Sequence, residues 1–305
     1  MLVGIDVGGT KTHIAVQSAG ETRHQVLPTP DWQRTALDHG EDLKRLVSLV
    51  PLTGEDRRQA VLVLGAHGCD STEQVERVRS RLKREWPGRL DVVNDAELLA
   101  PAAGFEHAIC VVGGTGSIVV GRTGDGEIIR VGGHGWLLDD FGSSPGLARE
   151  AVVELVRATD RGLERDGLAE RFFTEFDVSN ETDLVGEFTA QASIRRWAQA
   201  GPLVFEAADA GSQRAKDVIA RAGAQLAWQI ELARTRGAVG DVVIFAGGVL
   251  VNRKGLVAVI ERELHQAGLH IDSHILRVPP VTGALELARR ISVGGHEPAQ
   301  QKEQS

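Results

Sequence analysis

Cysteine is scarce in this 305-residue chain. Only Cys69 and Cys110 occur, which excludes a disulfide framework and a four-cysteine zinc site. No HExxH motif or regular His/Cys cluster is present either. No apolar run is long enough to span a bilayer, so no membrane contact is expected. The first residues show no basic stretch, apolar core and small-residue cleavage site, so no signal peptide is expected and the cytosol is the natural setting. Excess positive charge is also lacking. The net charge of −8 argues against a general nucleic-acid binder. Hydrophobic residues make up 42% and charged residues 25%, values that exclude disordered and fibrous classes. The tail GGHEPAQQKEQS is polar and is expected to fray.

What is present reads as α/β. The apolar, β-branched runs LVGIDV, THIAVQSA, AVLVLGA, LDVVND, AICVVGG, GSIVVGR, DVVIFAGG and HILRV are nearly continuous, as expected of strands covered on both faces. Helix-period segments lie between several of them: DSTEQVERVRSRLKREW, capped at Asp70 or Ser71, then GLAREAVVELVRA, KDVIARAGAQLAWQIELARTR and KGLVAVIERELHQAG. VGIDVGGTKTHIAVQ resembles CVVGGTGSIVVGR about one hundred residues later. Each is a strand, a glycine- and hydroxyl-rich turn and an immediate second strand, which predicts two hairpins in a duplicated chain. The halves would meet near Gly104 and Phe105, with a ligand cleft between them.

Five stretches carry the chemistry. In Asp6-Val7-Gly8-Gly9-Thr10-Lys11-Thr12, glycines admit a phosphate to the backbone, Thr10 and Thr12 offer hydroxyls, and Lys11 adds charge. A Walker A loop needs glycine directly before Lys-Thr, and a dinucleotide fingerprint opens a helix; neither fits here. A plain glycine hairpin is the alternative. Gly113-Gly114-Thr115-Gly116-Ser117 gains weight as the partner of the first turn. Asn94 and Asp95 end a strand, where one of them caps a helix or Asp95 serves as a general base. Trp136, Asp139 and Asp140 suit sugar hydroxyls and an apolar sugar face; a solvated loop with Trp136 in the core is the other reading. Gly247-Gly248, between a strand and a helix, would let a nucleoside lie against the backbone. Asp6 suits a magnesium ion held mainly by phosphates.

These stretches, in this order, resemble the sugar-kinase branch of the actin/hexokinase ATPase superfamily. More closely they resemble the BadF/BadG/BcrA/BcrD group, which includes N-acetylglucosamine kinases. IDVGGTKT, VVNDA, VVGGTGSIV, GWLLDDFGS, FAGGVL and PPVTGALELA carry the resemblance. It implies two RNase H-like (actin-like ATPase) domains, 1–104 and 105–282, around an ATP and sugar cleft, with a last helix near 283–293 returning to the first domain. It further implies ATP-dependent phosphorylation of an amino sugar, N-acetylglucosamine at its 6-hydroxyl being favoured over glucosamine or another hexose derivative. Asp95 would be the base and Asp6 would hold Mg2+ through water. Gly8, Gly9, Thr10, Lys11, Thr12, Gly114, Thr115 and Gly116 would lie along the phosphates, with Gly247 and Gly248 at the adenosine. Asn94, Thr115, Trp136, Asp139 and Asp140 would meet the sugar. A homodimer is implied by analogy alone.

Two departures stand out. Phe141 replaces a usual acid, and LPTPDWQR offers Thr29, Asp31 and Trp32 where relatives often have a sugar-binding asparagine. The rival activities are an activator of an acyl-CoA dehydratase, which would need cluster-ligating cysteines, and a non-catalytic nucleotide switch, which would not need Asp95 or the sugar stretch.

Overall fold

The computed structural model describes residues 1–38, 41–190 and 193–294. All of the expected polar tail except Gly294 lies outside these residues. The chain divides into two units. Unit 1 comprises Met1–Glu106 and the segment from Val278 onward; unit 2 comprises His107–Arg277. The first break thus falls two residues after the position read from sequence, and the return to unit 1 begins before the last helix rather than within it.

Unit 1 holds a five-stranded sheet of β1 (Leu2–Val7), β2 (Lys11–Ser18), β3 (Glu21–Pro28), β4 (Val61–Ala66) and β5 (Leu90–Asn94), in the order β3-β2-β1-β4-β5. The first three strands form an antiparallel meander, and β1, β4 and β5 run parallel. The interior strands β1 and β4 are almost wholly buried, which explains their unbroken apolar sequences. β3, absent from the sequence reading, is a polar and largely exposed edge strand. The helix Thr72–Glu85 is capped by Ser71, whose hydroxyl accepts from the Gln74 N–H.

The helix Val281–Val293 packs on β1, β2 and β4. Contact is backbone-close. A Cβ on Gly4 would lie 2.9 Å from the Val281 carbonyl, and one on Gly283 would lie 1.9 Å from the Leu98 carbonyl. Glycine at both positions is what lets the helix seat.

Unit 2 repeats the topology with β6 (Ile109–Gly113), β7 (Ser117–Arg122), β8 (Ile128–Gly132), β9 (Val242–Ala246) and β10 (Asp272–Ile275), in the order β10-β9-β6-β7-β8. Again three strands form a meander, and β6, β9 and β10 are parallel. The duplication visible in two turns therefore extends through both sheets. HILRV supplies only its first two residues to β10, and the Leu276 N–H beyond them donates to the Phe245 carbonyl at 2.9 Å. The helices Ser144–Asp160, Ile194–Asp209, Gln213–Thr235 and Lys254–Gln266 supply the apolar layers of this unit's core. Two shorter helices, Gly167–Phe176 and Glu181–Ala190, bring Phe172, Phe176 and Phe188 into an aromatic cluster. Among the described residues no helix is long and apolar enough to cross a membrane.

Candidate active site

In unit 1 the polar residues gather where β1, β4 and β5 end. β1 delivers Asp6, 7% exposed and opposite His13 of β2 in the register. The chain then turns through Gly8–Lys11, closed by the Gly8 N–H donating to the Lys11 carbonyl at 3.0 Å. Gly9, Thr10 and Lys11 are exposed, so the turn offers backbone, hydroxyl and ammonium to a ligand. Thr12 does not join them. It is fully buried, because β2 has already begun and its alternation turns this side chain inward. Its hydroxyl bonds to that of Thr29 at 2.9 Å and accepts from the Trp32 indole at 2.9 Å. The expectation that Thr12 meets phosphate is corrected accordingly.

β5 ends at Asn94, and Asp95 opens a single 3-10 turn, Asp95–Leu98. Both readings of the pair are realised, one by each residue. Asn94 is the cap. Its carbonyl oxygen accepts from Ala96 N–H at 3.0 Å, its amide donates to the Cys69 carbonyl at 3.2 Å and to Asp70 Oδ1 at 3.1 Å, and Glu97 reaches back to its N–H at 3.0 Å. It is 3% exposed, so its polar groups are spent on the protein rather than a substrate. Leu98 closes the turn against β4, where a Cβ on Gly65 would lie 2.4 Å from Leu98 Cδ1. Asp95 is thereby fixed. Burial, and next the Asp6 carboxyl, push its pKa up to about 7. Burial pushes Asp6 up to about 6, with Lys11 opposing. A buried carboxyl whose charge makes its neighbour harder to ionise makes, with that neighbour, a fitting partner for a bound cation. Among the described residues no group of three or more His, Cys, Asp or Glu side chains could hold a metal unaided. A magnesium ion would therefore draw its other oxygens from phosphates and water.

In unit 2 the β6–β7 turn is tighter, with Gly114 N–H donating to the Gly116 carbonyl at 2.8 Å and Thr115 exposed at the tip. Gly247 sits beneath it with φ of 88°, a conformation that favours glycine. A Cβ on Gly114 would be 3.6 Å from the Gly248 nitrogen, so the expected phosphate and nucleoside turns of this unit share one wall. From Gly248 the short helix Gly248–Asn252 leads on, and the Asn252 amide returns to the Gly248 carbonyl at 2.7 Å. Beyond it opens a cavity of about 510 Å³ whose walls include Phe205, Ile219, Val259, Lys216, Asn252 and Arg253. The Arg253 guanidinium lies 4.9 Å over the Phe205 ring.

The loop before Ser144 is tied to the same turn. Asp140 has φ of 56°, and its carboxylate accepts from the Gly135 and Ser117 N–H groups; burial, opposed by these bonds, raises its pKa. Ser117 Oγ donates to the Phe141 carbonyl at 2.7 Å, and Ser144 N–H to the Gly114 carbonyl at 2.8 Å. Asp139 accepts from the Gln229 amide at 3.3 Å. Arg149 crosses the loop, donating to the Trp136 and Asp139 carbonyls and lying 5.5 Å over Phe141. Phe141, in place of an acid, is thus a platform for that arginine. Trp136 packs against the core with its ring 5.0 Å from Trp197, so it is not a free aromatic face. His67 and Asp70 after β4 and Gln229 are site neighbours that sequence reading missed, and the Thr29–Trp32 segment, read there only as a departure at the sugar position, bonds to the Gly8–Lys11 turn. Each is distant in sequence from what it touches.

Two sheets of this order in one chain define the actin-like ATPase fold. The crystal structure of a candidate N-acetylglucosamine kinase from Chromobacterium violaceum shares it, with a TM-score of 0.67 at 22% identity over 94% of this chain and 98% of that one. The model of the BadF/BadG/BcrA/BcrD ATPase family matches residues 3–288, and the chain belongs to that family. It is 27% identical over 194 residues to the N-acetylmuramic acid/N-acetylglucosamine kinase of Clostridium acetobutylicum, a match spanning 60% of this chain and 62% of that kinase, less than two thirds of its length. It is 26% identical over 232 residues to the N-acetyl-D-glucosamine kinase of Dictyostelium discoideum, spanning 70% of this chain and 72% of that protein.

Proposed function

We propose that the protein is a kinase that transfers the γ-phosphoryl group of ATP to an amino sugar, N-acetylglucosamine at its 6-hydroxyl being the favoured acceptor. The carrying observation is Asp95, a rigidly capped carboxyl poised near neutrality by burial and Asp6. A carboxylate of that basicity can accept a proton from a sugar hydroxyl, yet its acid form is still strong enough to be substantially ionised at physiological pH. The names of the Clostridium and Dictyostelium relatives support the acceptor class.

In this reading Asp95 takes the hydroxyl proton as the oxygen attacks the γ-phosphorus, and ADP leaves. Within unit 1, Asp6 and the Gly8–Lys11 turn suit a phosphate and its cation. Within unit 2, Gly114, Thr115 and Gly116 suit phosphates, Gly247–Gly248 and the adjoining cavity a nucleoside, and Asp139 and Asp140 sugar hydroxyls. A magnesium ion near Asp6 would neutralise phosphate charge. Phosphoryl transfer asks for positioning and charge compensation more than covalent help, and these residues supply both.

The dehydratase-activator alternative is disfavoured by the cysteines themselves. Both are buried, and burial pushes the Cys69 thiol up to about 12, far from a ready thiolate. A coupled ADP-release assay across N-acetylglucosamine, glucosamine, N-acetylmannosamine, N-acetylmuramic acid and glucose tests the proposal. Sugar-dependent ADP release that is largest for N-acetylglucosamine is expected; none with any sugar would refute it.

A further inference from the structure

The Gly8–Lys11 turn faces a conformational problem. A peptide unit flanked by Gly8 and Gly9 has little steric reason to hold one orientation. Flipping it would exchange an N–H for a carbonyl, turning an anion-attracting surface into a repelling one. Something must choose the orientation, and the buried segment after β3 does so.

Thr29 reaches back to the turn twice. Its hydroxyl donates to the Gly8 carbonyl at 2.7 Å, and its N–H donates to the Thr10 carbonyl at 3.1 Å. Behind it stand Thr12 Oγ, 2.9 Å from Thr29 Oγ, and the Trp32 indole N–H, 2.9 Å from Thr12 Oγ. All three side chains are at least 95% buried. The ends of this chain fix its direction. An indole N–H only donates and a carbonyl only accepts. Trp32 therefore donates to Thr12, Thr12 to Thr29 and Thr29 to Gly8, each bond polarising the next. Peptide units are planar and trans, so the N–H lies opposite the carbonyl. Holding the Gly8 carbonyl toward Thr29 turns the Gly9 N–H away from it, toward the open side of the turn. Holding the Thr10 carbonyl does the same for the Lys11 N–H.

We propose that Thr29 is a positioning residue for nucleotide phosphate: it locks the Gly8–Gly9 peptide so that the Gly9 amide donates to the bound anion, with Thr12 and Trp32 as its supports. This rests on the reading that the turn receives ATP phosphates. It also gives Thr12 a purpose in the motif after its direct contact was set aside.

Dissociation constants of the full-length protein for Mg·ADP and for adenosine, with KM for ATP and for the sugar, test the assignment. Thr29→Val keeps the shape and loses the hydroxyl. It should weaken ADP about tenfold, the effect of one hydrogen bond to a charged group, and raise KM for ATP in step. Adenosine binding and KM for the sugar should be unchanged. Thr29→Ser should restore ADP affinity to within about twofold. Wild-type ADP affinity in a folded Thr29→Val protein, or equal weakening of ADP and adenosine, overturns the proposal. If Thr29→Val fails to fold, Trp32→Phe decides, since it keeps an aromatic ring there while removing the indole donor together with part of the ring; ADP affinity indistinguishable from wild type then overturns it. A wild-type protein that binds no ADP overturns both this inference and the nucleotide reading. Normal wild-type turnover with an indifferent Thr29→Val overturns this inference alone.

Discussion

Gly247 lies so close to Gly113 that a Cβ on Gly247 would sit 2.5 Å from the Gly113 carbonyl oxygen. The first glycine of the β6–β7 turn and the glycine that ends β9 are thus in backbone contact, and neither strand end can be set without the other.

Gly247→Ala should therefore combine a clash with the strain of a φ of 88° on a residue bearing a Cβ. A loss of about 2–4 kcal/mol in chemical denaturation is expected. Gly248→Ala is the matched control, because a Cβ there meets nothing within 4 Å. It should fold normally, and any loss of ADP affinity it shows would mark the ligand's own approach to the turn.

Asp95→Asn should abolish proton acceptance while leaving the Asn94 cap in place. A fall in kcat of about 10²–10⁴ is expected with the ATP dissociation constant nearly unchanged. Near-normal turnover in this variant would remove Asp95 as the base.

Stability should depend on pH through the same pair. Both carboxyls have folded values above the ordinary aspartate value of 3.8, about 6 for Asp6 and about 7 for Asp95. The folded state then binds more protons than the unfolded state between pH 4 and 7, so stability is full below pH 4 and is lost as pH rises through 6 and 7. The metal-free wild type should melt lower at pH 8 than at pH 5, other titrations held in common with Asp95→Asn. That variant should have a shallower slope and, at pH 8, a Tm higher by about 2–4 °C. A scanning-calorimetry series on both proteins reads this directly.

Gln229 should matter to the sugar from the far side of Asp139. Its amide fills a space where a Cβ on Gly132 would sit 2.7 Å from Nε2, and its Oε1 has no hydrogen-bond partner. Gln229→Leu removes the unsatisfied acceptor but also the donor to the buried Asp139, so it should cost about 1–3 kcal/mol and raise the sugar KM several-fold by freeing Asp139 to turn. An unchanged sugar KM would show that Asp139 keeps its place without this bond.

Much of this architecture is legible in the sequence, for a physical reason. Strands covered on both faces, such as β1, β4 and β6, need unbroken apolar residues, and long helices need a periodic face. β3 escapes because an exposed edge strand obeys neither constraint. The short helices of unit 2 escape because each spans only about three turns, and their aromatic partners, such as Trp197 against Phe188, lie on other helices. The same division runs through the site. Asp6, Asp95 and the glycine turns are local motifs. The inward turn of Thr12, the grip of Thr29 on Gly8 and the contact of Gln229 with Asp139 arise from pairings 17 to 90 residues apart. Asn94 and Asp95 form one motif on paper and do two jobs in space, because a cap must spend its side chain on backbone.

The helix Val281–Val293 carries a last consequence. Its seat on Gly4 and Leu98 belongs to unit 1, yet it is translated after all of unit 2. The first sheet to leave the ribosome must wait, with one face uncovered, until the final helix arrives, whereas unit 2 has its whole core in hand some steps sooner. Birth order and completion order are therefore reversed in this protein. A released chain ending at Pro280 should have unit 2 protease-resistant and unit 1 open to cleavage.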